Sequence, residues 1–294
     1  MRKEVPMKGL RLRPLFRDGM AMLTKRDLSG LVWAKPWGLL ALLLLPACGS
    51  LPLAASPQGQ DLVAQSMHAP VEWQVVACID RSTSYRFTDA AIGALADILP
   101  QLQGEGVTWT VHLRWIQENS YRPEAYITTV HIEALPPEPV EPPPPQNPLE
   151  RRRRSYLGAM SRYQQAKQAW QEETKRVRER ALQQAEAVRA ITWGPAYGSD
   201  IWGCLQKAGE LLAGKGGRVI IASDMEVYGP QQRATVNLKG ARVHIVFWQA
   251  DQAQKGEELR RQWTAWLSEA GVNSVGWHDP SLGLAPVLEE IRRR

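Results

Sequence analysis

Cysteine is scarce in this 294-residue chain. Cys48, Cys78 and Cys204 are the only three, too few for a disulfide framework. None has a second cysteine or a histidine at metal-ligand spacing, which removes the thiolate-metal classes. Cys78 falls in a strand pattern and Cys204 in a helix pattern, so both read as small buried hydrophobes, with a bridge between them left open for want of geometry. His112, His131, His244 and His278 lie in or beside strand patterns without ligand spacing and read as packing or surface residues. There is no G-x-S-x-G elbow, P-loop or G-x-G-x-x-G turn, so acyl-transfer and nucleotide-phosphate signatures are missing. Excess charge is also missing where it would matter. The formal charge is +6. Residues 1–47 hold nine basic side chains against three acidic ones, which accounts for all of it. The remainder is neutral overall, and nothing in it points to nucleic acid. Apolar content is 44%, enough for a real core.

Hydrophobic runs are short. Residues 38–47 (GLLALLLLPA) form an apolar run of ten behind a basic segment. That is half of the roughly 20 residues a spanning helix needs, and it suits a signal-peptide core. The run closes on Leu45-Pro46-Ala47-Cys48-Gly49, which resembles the bacterial lipobox. The resemblance implies that residues 1–47 are a signal peptide and that Cys48 carries lipid as the first mature residue. It also implies a place in the cell envelope, facing the periplasm or the exterior. An uncleaved anchor and cleavage without lipid are the alternatives. Residues 48–69 are small, polar and Pro-containing, and read as a tether.

From residue 70 onward strand and helix patterns alternate. Strands are expected at 71–79, 107–116, 125–135, 218–222, 241–248 and 272–277. Helices are expected at 88–102, 200–213, 257–270 and 285–293. This alternation argues for a doubly wound, mostly parallel α/β sheet, with 125–135 as an antiparallel edge strand. One stretch, 136–191, stands outside it. Residues 136–148 (PPEPVEPPPPQNP) can be neither helix nor strand and read as a stiff polyproline spacer. Residues 149–191 hold eleven basic and five acidic side chains, no proline and no glycine after Gly158. They read as a long solvated helix, an edge insertion that can be deleted without unfolding the domain. Arg151 to Arg154 oppose the helix dipole. They read as a solvated face or as a contact for anionic lipid or an acidic partner.

In such a sheet ligands sit beyond the carboxyl ends of the strands. The first strand is followed by Asp80-Arg81-Ser82-Thr83-Ser84 and the fourth by Ser223-Asp224-Met225-Glu226, while Tyr197-Gly198-Ser199-Asp200 precedes the central helix. These loops offer only hard oxygen donors, a set suited to Mg²⁺ or Mn²⁺. The D-x-S-x-S run and its companions resemble the von Willebrand factor A domain with its metal-ion-dependent adhesion site. The resemblance implies a metal held by Asp80, Ser82, Ser84, Ser199 and Asp224. The serines would ligate directly, the aspartates would hold waters and hydroxyls, and an acidic side chain of a protein partner would complete the shell. Ser199 stands where that family has threonine, which keeps the hydroxyl and loses the β-methyl that restrains χ1. The competing role for Asp80, Ser82 and Ser84 is helix capping. Trp193, Trp202 and Glu226 are candidates for a recognition rim, with core packing the alternative for the tryptophans.

Three function classes follow. The first is a lipid-anchored, non-enzymatic binding module with a divalent cation. The second is a structural lipoprotein with a vestigial site. The third, a metal-assisted phosphoester hydrolase, is disfavoured because no second carboxylate, Lys or His stands beside Asp80 as acid or base.

Overall fold

The computed structural model describes residues 70–147, 149, 153–213, 216–227, 235–250 and 252–292. The signal segment with Cys48, the tether at 48–69, and Arg151 and Arg152 lie outside the described residues. Six strands form one sheet: β1 (Val71–Asp80), β2 (Val107–Ile116), β3 (Tyr126–Ile132), β4 (Gly217–Ala222), β5 (Ala241–Val246) and β6 (Ser274–Trp277). Their order is β3-β2-β1-β4-β5-β6. Every pairing is parallel except β2 with β3, so the α/β class with one antiparallel edge strand stands. The central strands are apolar throughout because both faces are covered. All six residues of β4 are buried, and fully burying each of Val219, Ile220 and Ile221 is worth about 1.5–3 kcal/mol relative to exposure.

The helices are α1 (Thr88–Ile98), α2 (Arg154–Arg189), α3 (Ile201–Leu212), α4 (Ala253–Glu269) and α5 (Ala285–Arg292). One core holds Val75, Ala77 and Ile79 of β1 against Ile92 and Leu95 of α1 and Val287 and Ile291 of α5. The other holds Val76 and Cys78 against Ile201, Leu205 and Ala208 of α3 and Trp263 and Leu267 of α4. Alternation along β1 thus feeds two faces from one strand. Helix α1 stops at Ile98, short of the expected residue 102, because Pro100 cannot continue it; a 3-10 turn over Leu99–Leu102 follows.

Two expectations need correcting. The first concerns the cysteines, which are not free thiols: Cys78 and Cys204 form a disulfide closing 126 residues of chain. Three cysteines are too few for a framework, yet two of them meet across the β1–α3 contact. The second concerns the long helix, which is not solvated along its whole length. Val177, Ala181, Ala185 and Val188 are buried, and Ala181, Ala185 and Val188 belong to the core on the α1 side. The spacing of four, four and three residues puts all of them on one helix face. The small alanines let α2 lie close to α1, so this half of the insertion cannot be deleted without opening the core.

Candidate metal centre

The chain runs from β1 outward to β2 and β3, then returns to β4 on the other side of β1. The switch point lies between the carboxyl ends of β1 and β4, where a crevice is expected in an open sheet. Asp80 ends β1 there, fully buried. One of its oxygens, Oδ1, accepts the Ser82 amide at 2.8 Å. The other, Oδ2, accepts two hydroxyls, Ser199 Oγ at 2.9 Å and Ser223 Oγ at 2.7 Å. Ser82 Oγ and Ser84 Oγ lie 3.2 Å apart. Asp224 accepts the Glu226 amide at 2.9 Å and is hydrogen-bonded by the Ser84 side chain. All five residues expected to form the site therefore converge.

Each loop is shaped by its local sequence. Thr88 is the first residue of α1, and its hydroxyl donates to the Asp80 carbonyl at 2.7 Å, fastening α1 to the end of β1. The chain leaving α2 runs beside the first loop. The Ala196 amide donates to Arg81 O at 2.9 Å and the Thr83 amide to Ala196 O at 3.1 Å. This carries Ser199 to Asp80. Asp200 then turns away from the site and caps α3 by accepting the Gly203 amide at 2.9 Å. A Cβ at Gly203 would stand 2.1 Å from Asp200 Oδ2, so the cap requires glycine there. Beyond β4 and β5, Met225 (φ 62) and Phe247 (φ 52) hold left-handed backbone. That conformation is uncommon for large side chains and is concentrated at functional loops.

Electrostatics mark the same place. Burial is the main cause that raises both Asp80 and Asp224 above the ordinary carboxylate range, Asp224 to about 6, with hydrogen bonds opposing it; the charges of Asp80 and Glu226 add to the rise at Asp224. Two buried carboxylates that resist joint ionisation invite a cation. Tyr85 beside them is held well above its usual range by burial and by both aspartates. A cleft of about 60 Å³, lined by Ser84, Arg86, Phe87, Asp224, Glu226 and Phe247, opens next to the pair.

The donor set is compatible with a hard divalent cation. The hydroxyls of Ser199 and Ser223 give their protons to Asp80, and a hydroxyl that donates in this way can still offer its oxygen to a metal. Among the described residues no cluster of three or more His, Cys, Asp and Glu side chains could hold a metal, so binding here depends on hydroxyls and water. Ser223 was not singled out from sequence; its signal was a hydroxyl directly after a buried strand and before Asp224.

The rim is different from that expected. Trp202 is 6% exposed and stacks on Trp263 with centroids 4.9 Å apart, so it is core, not rim. Trp193 is half-buried and donates from its indole to Asp89 at 2.7 Å. Glu226 lines the cleft and accepts from Lys255 at 2.5 Å. Tyr197, 88% exposed, stands two residues before Ser199 and was not singled out from the sequence. The histidines pair locally, His112 with Thr129, His131 with Thr110 and His244 with His278. No protein-family model matches this chain, and none of the curated proteins is significantly similar to it. Assignment therefore rests on the chemistry of the site.

Proposed function

We propose that this protein is a von Willebrand factor A-like binding module, lipid-anchored in the cell envelope, that uses Mg²⁺ or Mn²⁺ to grip an acidic side chain of a protein partner. The observation that carries the reading is the meeting of Ser199 and Ser223 on one oxygen of buried Asp80, with Asp224 and Ser84 beside it. Three separate loops supply oxygen donors to one point at the sheet's switch point, which helix capping alone does not require. In the bound state Ser82, Ser84 and Ser199 would ligate the ion, while Asp80 and Asp224 would orient its waters. The buried aspartates carry charge that the cation neutralises. The partner's carboxylate would then add the last ligand, and Tyr197 would supply exposed aromatic area at the rim.

The Cys78–Cys204 bond supports an exported location, since disulfides persist in oxidising compartments. The test of the open ligand position is water-proton relaxation with Mn²⁺. Mn²⁺ bound here should enhance relaxation through exchangeable water, and acetate should reduce the enhancement by displacing it. A Mn²⁺ signal that acetate leaves unchanged would sink the acidic-partner reading.

A further inference from the structure

Helix α2 divides into two halves. Its second half packs on α1; its first half, from Arg154 to Glu173, has no buried residue. Two hydrogen bonds locate the division. Gln103, just before β2 begins, donates to the Val177 carbonyl at 3.1 Å, and the Trp170 indole donates to the Pro136 carbonyl at 2.9 Å. At the other end Arg189 pairs with Asp97 of α1, and Trp193 reaches Asp89 near the metal loops. Followed backward, α2 therefore descends from the metal end of the sheet past the end where β1 and β2 start. The 23 residues between Arg154 and Val177 carry it about 34 Å further.

The proline segment accompanies it. Pro136, Pro139, Pro142 and Pro145 are half-buried, while the residues between them are exposed. A period of three is that of a polyproline II helix with one face covered. The matching stripe on α2 is Tyr156, Met160, Tyr163, Lys167 and Trp170, all half-buried at helical spacing. The two form an arm, a polyproline strand laid along an α-helix.

Charge is unevenly spread over the arm: Glu138 and Glu141 lie on the polyproline strand, and Glu172 and Glu173 close the first half of the helix. Described residues 153–171 of its helix contain Arg153, Arg154, Arg162 and Lys167 and no carboxylate. Apolar groups are exposed among them: Leu149 is 74% exposed, Leu157 57% and Val140 71%. Glu138 and Glu141 share one face of the polyproline strand, and a threefold helix puts Val140 on another.

We infer that this arm is a membrane-contact device, which lays its cationic, leucine-bearing helix on an anionic phospholipid surface. Arginines meet headgroup phosphates while Leu149, Leu157 and Val140 enter the interface. The orientation is consistent. Val71, through which all upstream chain is joined, starts β1 at the end the arm leaves from, and the metal loops are at the opposite end. Given the lipid-anchored reading above, the anchored end and the arm would face the bilayer and the metal site would face away from it.

The test uses the full chain mixed with vesicles of phosphatidylcholine alone or with 30% phosphatidylglycerol, each doped with a diazirine phospholipid, with photo-adducts mapped by mass spectrometry. Adducts at Leu157 and its neighbours are expected with phosphatidylglycerol and not without it. Arg153→Gln, Arg154→Gln and Arg162→Gln together should lower them on the order of 100-fold, since each cation near the surface contributes about 1 kcal/mol. Circular dichroism on this triple variant guards against simple loss of the helix. Arm adducts that are absent or equal in the two vesicle types would overturn the proposal. The same holds if an acidic protein, polyglutamate, protects the arm from proteolysis and vesicles do not. Failure of the anchor has a separate signature, no sedimentation with phosphatidylcholine vesicles, and leaves the phosphatidylglycerol result decisive.

Discussion

Cys78 is bonded to Cys204, so β1 is tied to α3 two residues before Asp80 and five residues after Ser199. The cross-link therefore spans the two elements whose ends bring a carboxylate and a hydroxyl together at 2.9 Å. It also closes a loop of 126 residues that contains β2, β3 and the whole arm. Both sulfurs are buried, Cys78 1% and Cys204 0% exposed, so the bond is structural and shielded from small thiols.

Replacing both cysteines by alanine should cost about 5 kcal/mol, the loop-closure expectation for 126 residues. Guanidinium unfolding measures it as a lower midpoint with a steeper slope, because the chain without the cross-link exposes more surface when unfolded. Because the bond holds the two sides of the site in register, the same variant should bind Mn²⁺ more weakly. An unaltered midpoint would mean that the unfolded chain gains no freedom when the bond is lost.

The arm should be removable where the long helix is not. Pro136 and Trp170 are hydrogen-bonded at 2.9 Å, so a short Gly/Ser link from 136 to 171 bypasses residues 137–170 without strain. That protein should keep a cooperative thermal transition within a few degrees of wild type. Extending the deletion to Arg189 removes Val177, Ala181, Ala185 and Val188 from the core and should abolish the transition. Loss of cooperativity in the shorter deletion would show that the arm contributes to the fold.

A pH dependence is built in under α5. His244 is 2% exposed, with His278 3.2 Å from its Nδ1 and Glu290 3.3 Å from its Nε2. Burial, aided by His278, Arg218 and Arg242, pushes it down from 6.5 to about 4, and Glu290 only partly resists. Between these values the unfolded chain binds a proton that the folded chain refuses. The stability from neutral His244 is thus fully present above about 6.5 and is lost as pH falls towards 4. Protonation of Asp224 near 6 acts in the opposite direction, so the reading is the comparison: in scanning calorimetry at pH 7.5 and 5.0, His244→Phe should lose less stability, or gain more, at the acid end than wild type. A His244→Phe protein with the same pH response would place the effect elsewhere.

Much of this architecture was legible in the sequence because the alternation of apolar strands and amphipathic helices is a local property. Val71–Asp80 and Val107–Ile116 emerge almost at their expected bounds. The D-x-S-x-S run and Asp224 were readable because their positions after buried strands dictate their position in an α/β sheet. What escaped is what depends on contacts between distant segments. Cys78 and Cys204 differ by 126 positions, and no local pattern says that their sulfurs meet. Ala181 and Ala185 look like ordinary helix formers until α1 covers them. Trp202 sits next to the site in sequence, yet its position in the first turn of α3 aims it at Trp263. Ser223 was visible as a residue; only its 2.7 Å approach to Asp80 gives it a role.

The most direct measurement is calorimetric titration of the purified protein with MgCl₂ and MnCl₂, beside Asp80→Ala and Ser199→Thr. Wild type should bind one ion per chain. At 100 times the dissociation constant the ion should stabilise the fold by about 2.7 kcal/mol. Asp80→Ala should give no binding heat, because Ser199 and Ser223 lose their common acceptor. Ser199→Thr should bind as well or better, since its β-methyl restrains the hydroxyl. Below pH 6 binding should weaken as protons compete for Asp224. Equal heats from wild type and Asp80→Ala, or no heat from either at millimolar metal, would contradict the account and leave these loops as caps on a sheet.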